Sequence, residues 1–188
     1  MDIAFFGIQG SGKGTQAKML AEEFGYYIFE AGGELRKIKA SGTELGETVK
    51  NYIDNGELVP FEIIMKVVNE AIAGISADQK ILFDGIPRDL DQMKAFDDIM
   101  ANAGRELQCV HILLEKQEAV ERIKSRAEIE GRADDADQDK VLRRMDLFLE
   151  KTMPVIKEYE SAGRVIEIDG QGNVEEIYER IKTGIKEK

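Results

Sequence analysis

Lys13 closes a glycine-rich run, Gly7-Ile8-Gln9-Gly10-Ser11-Gly12-Lys13, that follows the apolar stretch Ile3-Ala4-Phe5-Phe6. Strand, glycine loop, lysine and then helix is the order of parts that cradles phosphate. Glycines let backbone N–H groups converge on one concave space, and the helix start adds positive potential there. The lysine brings a full charge to the outer phosphates of a nucleoside triphosphate. The spacing matches G-x-x-x-x-G-K from Gly7 to Lys13, but Gly14 takes the place of the usual Ser or Thr. The hydroxyl arrives one residue later, at Thr15. A second candidate is Asp84, which ends the apolar run Ile81-Leu82-Phe83 where phosphate-loop enzymes place an acid near Mg²⁺. With no loop hydroxyl at the usual metal-ligating place, Asp84 is expected to hold the ion through its water shell, because Mg²⁺ gives up water reluctantly. A solvated turn aspartate is the plain alternative.

The arginines form a third group. Arg36, Arg88, Arg122, Arg126, Arg132, Arg143 and Arg144 fall in strand-end loops, at helix starts or around a polar stretch between about 127 and 136. Arg122 and Arg126 are four apart, on one helical face, so both can reach a single ligand. Guanidinium forks bind phosphate oxygens bidentately, and phosphoryl transfer is chiefly positioning and charge stabilisation. Any one of these arginines reads equally well as half of a surface salt bridge; the set beside a phosphate loop reads as a cage. The sole histidine, His111, lies mid-strand and reads as core. No histidine is placed as a general base, and an acceptor that is already an anion needs none. A phosphate acceptor is therefore favoured over a sugar, a protein or water.

Composition narrows the setting. The 188 residues suit one domain, and 43% hydrophobic with 34% charged residues describes a soluble globular chain. No apolar stretch approaches the ~20 residues that span a bilayer. No basic segment precedes the first apolar run, so no secretory signal is expected. Cys109 is the only cysteine, which rules out an intrachain disulfide and a thiolate metal cluster, and makes the cytoplasm the default. A net charge of −11 argues against nucleic acid and against an anionic membrane surface as partners. Small anionic ligands stay open, because clustered arginines act locally while distant charges are screened over ~8–10 Å. One domain without an exposed apolar repeat points to a monomer.

These residues need elements to hold them. Apolar runs at Ile3–Phe6, Tyr26–Phe29, Ile81–Asp84, Cys109–Leu114 and Val165–Ile168 read as five strands, the second of them buried. Helical spacing lies between them: at Ala17, Leu20 and Ala21; from about Glu34 to Leu58, interrupted at Ser41-Gly42; from Phe61 to Gly74; and at Leu90, Met93, Phe96 and Met100. Further spacing of this kind occurs at Val120, Ile123 and Ala127, from Val141 towards Pro154, and from Val174 to Ile185. Alternation of this kind predicts an α/β fold, a five-stranded parallel sheet with helices on both faces. The segments at about 30–59 and 127–136 do not fit plain alternation and read as mobile excursions near the ligand end of the sheet.

The sequence resembles the adenylate kinases and their nucleoside monophosphate kinase relatives over nearly its whole length. The resemblance rests on the loop Gly7–Gln16 with its displaced threonine, and on Asp84-Gly85-Ile86-Pro87-Arg88 with Gln92 four residues on. Gly56-Glu57-Leu58-Val59-Pro60, Gly131-Arg132-Ala133-Asp134-Asp135 and Thr152-Met153-Pro154-Val155-Ile156 add to it. It implies reversible, Mg²⁺-dependent phosphoryl transfer from ATP to AMP. It also implies a core of residues 1–29, 60–122 and 137–188, an NMP-binding excursion at 30–59 and a short lid at 123–136, with no zinc. It places Gly10, Ser11, Gly12, Lys13, Gly14, Thr15, Arg122 and Arg126 at ATP. Ala31, Arg36, Val59, Gly85, Arg88, Gln92, Arg132 and Arg144 fall at AMP, with Gln92 on the adenine. Lys13, Arg88, Arg126, Arg132 and Arg144 surround the transferring group, while Asp134 and Asp135 look structural. Arg144 has the better spacing to Pro154, and Arg143 stays open as the alternative.

Three residues depart from the family pattern. Gln9 stands where proline is usual, and Glu30-Ala31-Gly32-Gly33 replaces the usual Ser-Thr-Gly-Asp. Ala31 removes a hydroxyl from the base pocket and resembles the UMP/CMP kinases, whereas Gln92 resembles the adenylate kinases. Gly33 removes a carboxylate that resemblance puts near the metal's water shell; whether Glu34 substitutes is open. AMP is the expected acceptor, because a direct base contact discriminates more strongly. A UMP/CMP or broad-range kinase, and a non-catalytic nucleotide-binding module, are the alternatives.

Overall fold

Strand β1 (Asp2–Phe6) is buried along its whole length and lies at the centre of a five-stranded sheet. The order is β2 (Tyr27–Glu30), β3 (Ile81–Asp84), β1, β4 (Leu107–Leu113), β5 (Val165–Asp169), and every pairing is parallel. The structure, a computed structural model, describes residues 1–130 and 137–186; the side chains of 126–130 lie outside that description. The period of two along β1 separates two apolar layers. Ala4 and Phe6 pack with Phe29, Phe83 and Cys109 on one face; Ile3 and Phe5 pack with Leu82, Val110 and Ile112 on the other.

Helices cover both faces, as the alternation predicts. On the first lie α4 (Phe61–Ala73), α5 (Leu90–Asn102) and α8 (Met153–Ser161), which bury Val68, Phe96 and Tyr159. On the second lie α1 (Lys13–Phe24) and α9 (Val174–Lys186), with Leu20 and Ile181 inward. Helices α6 (Lys116–Glu130) and α7 (Gln138–Leu147) add Ile123, Val141 and Met145 to a smaller cluster around Ile8. A π-helical turn, Phe148–Thr152, joins α7 to α8.

Two expectations change. Strand β2 is an edge strand rather than a buried one, and Tyr27 is 44% exposed. A run of apolar residues fixes a strand but not its rank in the sheet. Helix α2 (Ala31–Lys39) starts three residues earlier than its spacing suggests and carries Gly32 and Gly33 in its first turn. The predicted break at Ser41-Gly42 leads into α3 (Glu44–Asp54), which Thr43 caps by accepting from the Gly46 N–H at 3.1 Å.

Polar residues inside the core are paired or neutral. Asp2 accepts from the Ile81 N–H at 2.8 Å and from Arg105 at 3.0 Å, tying β1 to β3 and to the turn before β4. His111 is buried, its imidazole held below its ordinary pKa mainly by burial, which is the core role its mid-strand position predicts. Cys109 is fully buried, and burial pushes its thiol up to about 12.

Candidate active site

The sheet's C-terminal edge opens into one cleft of about 800 Å³, lined from both sides. On one side the chain leaves β1 through the glycine loop and enters α1 at Lys13. The loop is tight: a side chain at Gly10, whose φ is +89°, would meet the Ala119 carbonyl at 2.6 Å. Lys13 turns back into the loop, its Nζ donating to the carbonyls of Gly7 at 2.6 Å and Ile8 at 3.2 Å. Ser11 is buried in the loop, and Thr15 stands exposed in the first turn of α1. Gly14 faces the acid: a Cβ there would stand 3.7 Å from Asp84 Oδ2, an ordinary van der Waals contact. Helix α1 starts directly from this loop, and a helix N-terminus favours an anion there.

On the other side, β2 and β3 end in register at Glu30 and Asp84. Past Asp84 the chain turns at Gly85, which has φ +82° and lies directly beneath Arg88; a side chain there would meet Arg88 Nη2 at 2.9 Å. Arg88 Nε donates to the Gly85 carbonyl at 2.8 Å, and Thr152 from the π-turn donates to the Arg88 carbonyl at 2.8 Å. Burial pulls the Arg88 pKa below its ordinary value; Asp84 opposes this, while Arg144 and Arg36 add to it. Arg88 therefore senses two other guanidinium groups and one carboxylate. Arg88 is open to the cleft and keeps its charge.

Ala31, Arg36, Val59, Gly85, Arg88, Gln92 and Arg144 all line this cleft together with Lys13 and Asp84. Gln92 is buried and also serves the start of α5: its Oε1 accepts from the Arg88 N–H at 2.9 Å and its Nε2 donates to Asp89 at 3.0 Å. One amide proton and one lone pair are left for a ligand by that count. Arg143 and Arg144 divide between two surfaces. Arg143, which is not part of the cleft lining, pairs with the lining residue Glu57 at 2.8 Å, while Arg144 itself lines the cleft. Arg122 lies away from that lining and donates to the Gly170 carbonyl at 3.0 Å, between α6 and the loop after β5. The Arg126 side chain, Arg132, Asp134 and Asp135 lie outside the described residues.

Some contributors have no sequence signal of their own. Thr152 and Glu57 were legible only as parts of longer motifs, and Glu30 only as the first residue of a segment that departs from the family pattern. For a cation the site offers the Asp84 carboxylate, which lines the cleft with Lys13 and Gly7 of the loop. Among the described residues no three His, Cys, Asp or Glu side chains gather to hold a metal. That donor set fits an ion that keeps most of its water and takes its other oxygens from phosphates.

The family described as Adenylate kinase matches residues 5–164. The chain is 39% identical over 184 residues to an adenylate kinase of Thermus thermophilus, covering 97% of this chain and 96% of that one. It is 42% identical over 180 residues to one of Micrococcus luteus, covering 95% and 87%. One of Maricaulis maris is 35% identical over 189 residues and covers both chains in full. No helix among the described residues is long and apolar enough to cross a membrane. With a parallel sheet, a glycine loop and an arginine-lined cleft at its C-terminal edge, this chain belongs to the adenylate kinase family.

Proposed function

We propose that the protein transfers a phosphoryl group reversibly from ATP to AMP, giving two ADP. The observation that carries this is the single cleft that joins Lys13 and the glycine loop to Arg36, Arg88, Arg144 and Gln92. A donor phosphate chain on the loop and an acceptor phosphate on the arginines would then face each other across one space. An oxygen of the AMP phosphate attacks the terminal phosphorus of ATP, and the bond to the β-phosphate oxygen breaks. The acceptor oxygen is already anionic, so no base is required. Lys13 swings from the Gly7 and Ile8 carbonyls to the donor phosphates. Arg36 and Arg88 hold the acceptor phosphate, and Arg144 meets charge spread on the transferring group.

The family pattern assigns Arg126 and Arg132 to the same group, Arg122 to the ATP side, and Gln92 to the adenine of AMP. Asp84 would hold Mg²⁺ through water, and the ion would neutralise charge shared by the donor phosphates. Residues 30–59 are the acceptor-binding unit and 123–136 the lid; their closure over the remaining core keeps water from the donor. This reading extends to a monomer working in the cytoplasm, consistent with a lone buried thiol.

Chromatography of products after mixing the protein with Mg-ATP and AMP, CMP, UMP, GMP or dAMP in turn tests the reading. ADP formation with AMP well ahead is the expected outcome. Better turnover of CMP or UMP would make Ala31, not Gln92, the residue that selects the base. No product with any acceptor would overturn the enzyme.

A further inference from the structure

Glu30 and the two glycines after Ala31 form an arrangement that the roles above leave unexplained. Glu30 ends β2, and its carboxylate reaches over the first turn of α2 to Arg36 Nη2 at 2.6 Å. Both side chains are close to half exposed, at 48% and 46%. An ion pair so exposed contributes little to stability. The helix, meanwhile, carries two glycines in its first turn, where alanine would favour the helix more. Stability is therefore not what this pair supplies. The glycines make the space it occupies: a Cβ at position 32 would stand 3.1 Å from Arg36 Nη1, and one at position 33 would stand 3.2 Å from Glu30 Oε2. Glu30, Gly32 and Arg36 all line the cleft into which the acceptor phosphate is placed.

A long arginine side chain loses rotamer freedom when it grips a ligand, and one already anchored has less to lose. The Glu30 contact occupies one edge of the guanidinium and leaves other N–H donors for phosphate oxygens. We propose that Glu30 is a positioning residue for the acceptor: its carboxylate sets Arg36 in the conformation that takes the AMP phosphate, and Gly32 and Gly33 are the room in which it does so. An acid at 33 would crowd the acid at 30, since a Cβ there already stands 3.2 Å from Glu30 Oε2. The inference rests on the AMP reading.

The test is steady-state kinetics with AMP and ATP varied separately, together with calorimetric binding of AMP alone. Glu30→Ala is expected to raise KM and Kd for AMP about tenfold, the loss of roughly one charge-assisted contact's pre-organisation. KM for ATP and kcat are expected to stay within about twofold. Glu30→Gln keeps an acceptor for Arg36 and should bind AMP nearly as the parent does. Gly33→Asp should weaken AMP binding as Glu30→Ala does, while Glu30→Ser with Gly33→Asp should recover it, since an acid at 33 is one turn from Arg36. Unchanged or tighter AMP binding in Glu30→Ala, or a fall in kcat with both KM values moving together, would overturn the proposal. If the parent binds AMP but forms no ADP, the functional reading fails alone and calorimetry still decides the role of Glu30. A parent that does not bind AMP overturns both.

Discussion

The phosphate-loop side of the cleft and the α2–α3 side are held by different forces. β1 is buried at every position, and α1 packs Ala17 and Leu20 against it. In α2 and α3 only Ala31, Gly46 and Val49 are buried. In place of a deep apolar layer that unit carries ion pairs at its surface: Lys39–Asp54 between the two helices at 2.6 Å, Glu30–Arg36 at its root, and Glu57–Arg143 across to α7 at 2.8 Å. Apolar burial stabilises at roughly 25 cal/mol per Å² and yields only when the whole layer opens. Exposed ion pairs contribute little each and exchange readily with water. The phosphate-loop side is thus a fixed floor, and the α2–α3 side has few buried contacts to break if it moves.

The sharpest test of this contrast is Lys13→Ala. The loop's chemistry should fail, with turnover down by about 10²–10³-fold or more, while melting stays near that of the parent. A large loss of stability would mean that the Lys13 contacts to the Gly7 and Ile8 carbonyls hold the floor together. Next comes Phe83→Ala, which removes a fully buried ring stacked edge-on against Phe96 at 4.9 Å. Chemical denaturation should show a loss of about 3–5 kcal/mol, and a much smaller loss would blur the distinction between floor and moving part.

The smallest expected effect is on the other side, at Asp54. The Lys39 hydrogen bond holds its carboxylate below the ordinary value of 3.8, so the pair's contribution is complete above that pH. It disappears as pH falls through the lowered folded-state value. Asp54→Asn should remove this acid-side dependence and cost under about 1 kcal/mol at neutral pH, read from paired denaturation curves at pH 3 and 7. Hydrogen exchange that is no faster in α2–α3 than in β1 would break the comparison itself.

Much of the floor was legible in the sequence because its signals are local. The run Ile3–Phe6, the spacing of Gly7 to Lys13 and the acid at Asp84 each state their own role. What escaped depends on neighbours distant in the chain. The exposure of Tyr27 follows from β2 being an edge, and sheet order is not written in any one strand. Arg143 and Arg144 are adjacent, and only the packing of Val141 and Met145 decides which of them faces the cleft. The Glu30–Arg36 pair needed the early start of α2, which two glycines hide from any propensity reading. The roles of Arg126 and Arg132 rest on the family pattern alone.

Cys109 gives this contrast a clock. As the chain's only thiol, sealed between the sheet and its helices, it reacts as a thiolate only when the floor itself opens. Swinging of α2 and α3 should leave it untouched. The labelling rate of this one sulfur therefore counts rupture of the sheet layer and ignores every opening of the acceptor side, so a single reagent separates breathing from unfolding.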